Sequence, residues 1–221
     1  MKKIILLGFV LMIAVSVKAQ EKFEEGKISM TQTITTDNEE MQAMLEQMMG
    51  GSTMESVTYI KGQKTRAEVS NPSSGDIIMI TDMSENKMLM LMDSPMMGKK
   101  YTMTDLDSEE VKKASENVTV TEGTETKTIL GYECKQYMVT VDQAGVKMEM
   151  EMYVTNKIVP VMTQQTAMLG DKLKGFPMYM VMNMNQQGMA MTITTEVKEL
   201  NKEAIADAKF SLTPLEGYSK M

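Results

Sequence analysis

The sequence predicts an α+β domain built on one large, curved antiparallel β-sheet, with short helices covering its concave face. Three observations point there. Methionine recurs at every second position in four stretches: Met88, Met90 and Met92; Met148, Met150 and Met152; Met178, Met180, Met182 and Met184; then Met189 and Met191. Period two is the period of a β-strand, whose successive side chains point to opposite faces. Alternating segments of roughly ten residues follow one another across mostly Gly- or Pro-containing turns, the pattern of a hairpin meander. A few short segments instead carry helical spacing and caps, too few to form a layer of their own beside so many strands.

In chain order, Lys2 and Lys3 precede an apolar run from Ile4 to Val17, and Val17-Lys18-Ala19 is a small-residue exit. Residues 1–19 therefore read as a secretory signal peptide cleaved before Gln20. Residues 20–221 carry no linker-like stretch and read as one domain of about 200 residues, long enough to bury a sizeable core. Gly26 to Thr36 alternates Ile28, Met30, Gln32 and Ile34 with Ser29, Thr31, Thr33 and Thr35, a half-buried strand. Asp37 or Asn38 then caps a helix through Met49, with Met41, Met44, Leu45 and Met48 at helical spacing and Gly50-Gly51 as the stop. Strands follow at 53–61, 63–70, 75–82, 86–92 and 99–104. A second short helix is expected from Asp107 to Glu116. Strands resume at 117–129, 132–141 and 145–155. A helical stretch near 161–172 places Met162, Gln165, Met168 and Leu169 on one side; strands 177–186 and 189–199 follow across the Gln187-Gly188 turn, then a short helix at 201–207 and an extended piece from Phe210 to Leu215.

Composition narrows the compartment and the partners. No window after the leader approaches the length of apolar chain that spans a membrane, and no cysteine follows the leader to take a lipid. The mature chain is expected to be exported, periplasmic or secreted, without a membrane span. Cleavage removes Lys2, Lys3 and Lys18 and no acid, leaving 20 basic and 30 acidic residues and a net charge of −10. That charge repels phosphate backbones, and Arg66 is the only arginine, so nucleic acid is excluded as a partner. Cys134 is the only cysteine, so stability comes from packing rather than from a disulfide.

The chain has no histidine, which removes Ser-His-Asp and Cys-His catalysis and the usual zinc site. No glycine string of nucleotide-binding type occurs. Glu109-Glu110 and Glu149 with Glu151 are carboxylate pairs, and both sit in the patterns of solvated faces. Neither an enzyme nor a bound cofactor is expected. Arg66, between Lys64 and Glu68 on alternate positions, reads as a cross-strand charge partner. In the 147–153 strand, Lys147, Glu149, Glu151 and Tyr153 read as the solvent face, which turns the methionines inward. Met96-Met97, beside Pro95 and Gly98, reads as a loop closing over a cavity mouth.

The strings Tyr59-Ile60-Lys61-Gly62-Gln63-Lys64-Thr65-Arg66-Ala67-Glu68, Thr128-Ile129-Leu130-Gly131-Tyr132-Glu133-Cys134-Lys135-Gln136-Tyr137 and Met152-Tyr153-Val154-Thr155 resemble the DUF4412 proteins exported by Bacteroidetes. The ending Phe210-Ser211-Leu212-Thr213-Pro214-Leu215-Glu216-Gly217-Tyr218 is similar to the close of chains with the periplasmic lipoprotein-carrier fold typified by LolA and LolB. The resemblance implies a half-open antiparallel barrel closed by helices around an apolar cavity, and it implies no catalytic residues.

Methionine is flexible and polarizable, and it suits both irregular cores and surfaces that accept variable apolar shapes. The methionines of the four runs are accordingly candidates to line a cavity for an apolar small molecule, a lipid or an acyl chain. Two alternatives stand beside this one. The methionine faces are core in a cell-envelope interaction module that contacts another envelope protein through an edge strand or acidic face. Or the thioethers take Cu(I) or scavenge oxidant. The leader reading has a direct check: the intact mass of the chain recovered from its host's envelope is expected to correspond to a first residue of Gln20, and an uncleaved mass would refute it.

Overall fold

The computed structural model describes residues 22–71, 75–143, 146–158, 169, 172–186 and 189–221. The leader, most of the expected 161–172 helix, the Gln187-Gly188 turn and the tip of the Gln143-Ala144-Gly145 turn lie outside them. Twelve strands form one sheet: β1 (Glu25–Thr36), β2 (Thr53–Lys61), β3 (Lys64–Asn71), β4 (Gly75–Asp82), β5 (Lys87–Ser94), β6 (Gly98–Asp105), β7 (Val118–Ile129), β8 (Tyr132–Gln143), β9 (Val146–Thr155), β10 (Phe176–Gln186), β11 (Met189–Asn201) and β12 (Ser219–Lys220). Two helices are present among the described residues, α1 (Glu39–Met49) and α2 (Glu109–Glu116).

The spatial order is β12-β6-β5-β4-β3-β2-β1-β11-β10-β9-β8-β7. Every pairing is antiparallel except that of β12 on β6. Two meanders, β1 to β6 and β7 to β11, are thus stitched together where β11 pairs with β1. The alternation and turn chemistry explain why: Leu130 and Gly131 both adopt positive φ, 49° and 84°, as a two-residue hairpin between right-twisted strands requires. At the β4–β5 end, Gly75 holds φ +98° with the Asp93 carbonyl oxygen 1.9 Å from where a Cβ would stand, so no larger residue fits there.

The connection between the meanders curves the sheet. Ten strand spacings of ~4.8 Å would put β6 and β7 about 48 Å apart in a flat sheet. The link between them is residues 106–117, of which eight form α2; at ~1.5 Å per helical and ~3.5 Å per extended residue it reaches roughly 30 Å. The sheet must curl for the chain to connect. It does not close: β7 and β12 remain its two edges. Both are blunted, β7 by an irregularity between Glu122 and Thr126 and β12 by its two-residue length.

Helix ends follow the sequence signals. The Asn38 side chain accepts from the Met41 amide and Gly50 stops α1 in the left-handed region, and the Ser108 side chain accepts from the Val111 amide to start α2. The Gln42 side chain ties α1 to β1 by accepting from the Thr36 amide and donating to the Ile34 carbonyl.

Two expectations are corrected. The segment after Asn201 is not a helix: 202–206 is irregular and only Asp207–Phe210 forms a 3₁₀ turn. Its backbone is used elsewhere, the Ile205 amide donating to Glu25 Oε1 and its carbonyl accepting from Lys61 Nζ, and a tertiary bond of this kind overrides helix propensity. The chain beyond runs across the outer face and rejoins the sheet only at β12. Finally, Tyr153 does not face solvent; it is 1% exposed.

That C-terminal segment has a clear task. Leu89 and Leu91 make the outer face of β5 apolar, and Ile205, Phe210, Leu212 and Tyr218 pack over them and Ile80. Lys61 pairs with Asp207 at 2.8 Å, and Arg66 donates to the Lys209 carbonyl at 3.1 Å. Arg66 also pairs with Glu68 on its own strand, so its partners are an i+2 neighbour and the strap rather than a facing strand.

Asp82, 2% exposed at the β4–β5 turn, sits 3.1 Å from Lys64 Nζ and accepts from the Ser84 hydroxyl and amide. Burial works to raise its carboxyl, but the bonds from Ser84 and Lys64 outweigh it and hold the pKa below the ordinary value. A depressed folded pKa contributes stability above the unfolded carboxyl range and loses it as pH falls through the folded value. Asp82→Ala is expected to cost about 1–3 kcal/mol at neutral pH by orphaning the Ser84 amide. Urea midpoints taken from neutral to acid pH should converge for variant and parent; a constant gap would contradict the linkage.

Candidate functional site: a methionine-walled groove

Residues opposite each other in a ladder share a face, which allows the concave side to be read in rows. One row runs Thr58, Ala67, Met79, Met90 across β2 to β5. The next runs Met30, Ser56, Val69, Ile77 across β1 to β4. A third runs Met54, Gln32, Thr195, Met180 across β2, β1, β11 and β10. With Phe176 and Pro177 these residues wall a single groove drawn from seven neighbouring strands. Among the described residues none of its walls is charged. The space open to the centre of a water molecule is about 70 Å³, and the empty volume between the walls, counted out to the mouth, is about 850 Å³.

Curvature alone makes the groove; cover decides where it lies. On the β7 to β10 half, Leu169 and Leu173 bury against Val139, Met150, Met152, Met180 and Met182, so that half of the concave face is a packed core. Over β1 to β5 the face is walled by the buried Met30, Thr58 and Met79 and the half-buried Met54 and Met90, and the groove opens between them.

The twelve candidate methionines therefore divide. Met90 and Met180 line the groove. Met88 and Met92 share Met90's face by register and are half-buried. Met150 and Met152 are fully buried core, as is Met178, which packs in a cluster with Phe23, Cys134 and Tyr153. Met182 is buried beside them, and Met148 and Met184 pack at the margin of the same core. Met191 lies opposite Thr36 and Met184, half-buried. Met189 pairs with Gln186 in the ladder, and its side chain lies outside the description. Three groove methionines, Met30, Met54 and Met79, belong to none of the runs. Each stands alone among Ile and Thr in its strand, and only the ladder register brings them beside Met90 and Met180. Met96, 95% exposed, and Met97 sit on the β5–β6 turn and are not among the groove residues.

Two hydroxyls in the groove are unusual. Thr58 Oγ1 and Thr195 Oγ1 are buried and find no hydrogen-bond partner among the described residues, and Thr58 is 0% exposed. Buried polar atoms are nearly always bonded, so each such exception calls for a partner.

On the other face, Lys127 Nζ stands 3.8 Å over the Tyr153 ring. The Tyr153 hydroxyl lies 2.9 Å from Glu125 Oε2 and from Glu151 Oε1. Burial and the two carboxylates hold this phenol well above its ordinary pKa. Bonds from Gln136 and Tyr153 hold Glu151 below its own. Glu109 and Glu110 are exposed on α2.

The sequence profile of the family described as a domain of unknown function, DUF4412, matches residues 23–215. The chain belongs to the DUF4412 family. Among solved structures, this DUF4412 chain is similar to PNGF-II, with 13% identity, a TM-score of 0.48, and 88% of this chain covering 30% of that one. It is also similar to the Mycobacterium tuberculosis lipoprotein LppX, with 8% identity, a TM-score of 0.32, and coverage of 83% and 90%. It thus spans under a third of PNGF-II. No curated protein matches it.

Within this DUF4412 domain Cys134 is fully buried and free, and burial pushes its thiol up to about 11. A protonated, enclosed thiol is a poor nucleophile. Ellman's reagent is expected to leave Cys134 unmodified in the folded protein and to titrate it completely in denaturant; prompt reaction of the folded protein would contradict the placement.

Proposed function

We propose that this protein is an exported, non-enzymatic binding protein that shields an apolar molecule, a lipid or acyl chain, in its methionine-walled groove. The observation that carries the reading is the composition of the walls: Met30, Met54, Met79, Met90 and Met180 with Ala67, Val69, Ile77 and Phe176, and no charged side chain among the described residues. Burying a methylene is worth about 0.8 kcal/mol, so a medium acyl chain gains ample affinity without an ionic anchor. Water-centre space of about 70 Å³ holds only around five waters. The walls must therefore move to admit a chain, and five unbranched thioethers are side chains suited to repacking.

Among the described groove residues none is a histidine, a cysteine or a charged side chain. The chain lacks histidine, Cys134 is fully buried and is not among the groove walls, Glu109 and Glu110 sit on α2, and Glu151 is bonded to Tyr153. Selectivity would come from shape and would be low, since flexible walls accept differing chains.

The test is native mass spectrometry of the protein taken from its own envelope, followed by titration with the uncharged dye N-phenyl-1-naphthylamine. Discrete added mass that is lost on denaturation and extracts as lipid is the expected outcome. Ala67 sits mid-floor between Thr58 and Met79, so Ala67→Trp is expected to weaken dye binding at least roughly tenfold, the equivalent of about two buried methylenes. A clean mass and no dye binding by the parent protein would overturn the reading.

A further inference from the structure

We infer that the groove selects a neutral molecule with one hydrogen-bonding end, and that Thr58 Oγ1 is the anchor for that end. The inference rests on the apolar-ligand reading above and names the class of ligand within it.

The argument starts from Thr58 itself. Its ladder partners are Ile28 and Ala67, neither of which offers a side-chain donor or acceptor. Ile28 and Ile60, next along the same face, are fully buried, so this end of the groove is closed. The hydroxyl is thus held at the closed end of an apolar channel, 0% exposed, with no partner among the described residues. Leaving it unbonded costs about 1–3 kcal/mol. A ligand atom that both fits the channel and bonds there removes that cost, while a bare hydrocarbon does not.

Thr195, the second such hydroxyl, has Gln32 as its ladder neighbour. Gln32 and Met54 at that end are half-buried, and it lies about 13 Å along the strand direction from Thr58 at ~3.3 Å per residue. Thr195 has the half-buried Gln32 amide directly opposite it in the ladder and lies near the mouth, whereas Thr58 has only Ile28 and Ala67 opposite it, with the Ser56 hydroxyl two residues along its own strand. The two positions are therefore not equivalent, and Thr58 is the one that needs the ligand.

The sign of the ligand follows from the walls. An ionised carboxylate or phosphate placed at Thr58 would be taken out of water with no cation beside it among the described groove residues, and a hydroxyl bond does not compensate for the desolvation of an unpaired charge. The site is built for a fatty alcohol, an ester or a comparable uncharged lipid end, and against free fatty acids.

Displacement of N-phenyl-1-naphthylamine by 1-dodecanol and by dodecanoate, at a pH where the acid is ionised, tests this. Dodecanol is expected to displace the dye at least about tenfold more effectively than dodecanoate. Thr58→Val, which keeps the side chain's shape, is expected to lose about tenfold in dodecanol affinity with dye affinity little changed. Thr58→Ser, which keeps the hydroxyl, is expected to retain the preference. Equal displacement by dodecanoate, or unchanged dodecanol affinity in Thr58→Val, overturns the anchor and its neutral ligand while leaving the apolar groove standing. Failure of the dye to bind the parent protein overturns both.

Discussion

The short connection between β6 and β7 is the constraint on which the rest of the structure depends. A link of roughly 30 Å joins strands that a flat sheet would hold about 48 Å apart, so the sheet has a concave side by necessity. The same link stops short of closing it, because β7 and β12 never pair. A closed barrel would have no edges to blunt. A half-open one must cover its concave face with whatever the connections supply.

The connections supply cover unevenly. Leu169 and Leu173 seal the β7 to β10 half from within, and the strap from Ile205 to Tyr218 seals the outer face of β3 to β6. The strap is held by backbone groups bonded to Glu25, Lys61 and Arg66, with the Lys209 ammonium 3.7 Å over Tyr59. What remains between the two seals is the concave floor of β1 to β5, and the groove lies there.

Methionine does two different jobs in one sheet. On β9, Met150 and Met152 interlock with branched and aromatic neighbours and behave as ordinary core, where close packing holds each thioether. In the groove, Met54 and Met90 are half-buried beside open space, which leaves their rotamers room to adjust, while Met30 and Met79 are buried in its walls. Identical spacing in sequence, as in Met88-x-Met90-x-Met92 and Met148-x-Met150-x-Met152, therefore leads to different roles.

Much of the fold was legible in the chain. Period-two methionine and the Asn38 and Gly50 signals marked strands and helix ends within a residue or two, because those features are set by local backbone preferences. The 202–206 helix and the solvent-facing Tyr153 were misread because distant partners, Glu25 and Lys61 for the first and Lys127 for the second, overrode the local pattern. The groove was legible only in outline. Sequence determined by itself that this protein would be a methionine-faced antiparallel sheet with almost no catalytic vocabulary, since composition and periodicity are properties of the chain alone. Only tertiary structure decided which methionines are wall and which are core, and that Thr58 stands among them without a hydrogen-bond partner among the described residues, because both depend on register between strands far apart in sequence and on which face the tail covers.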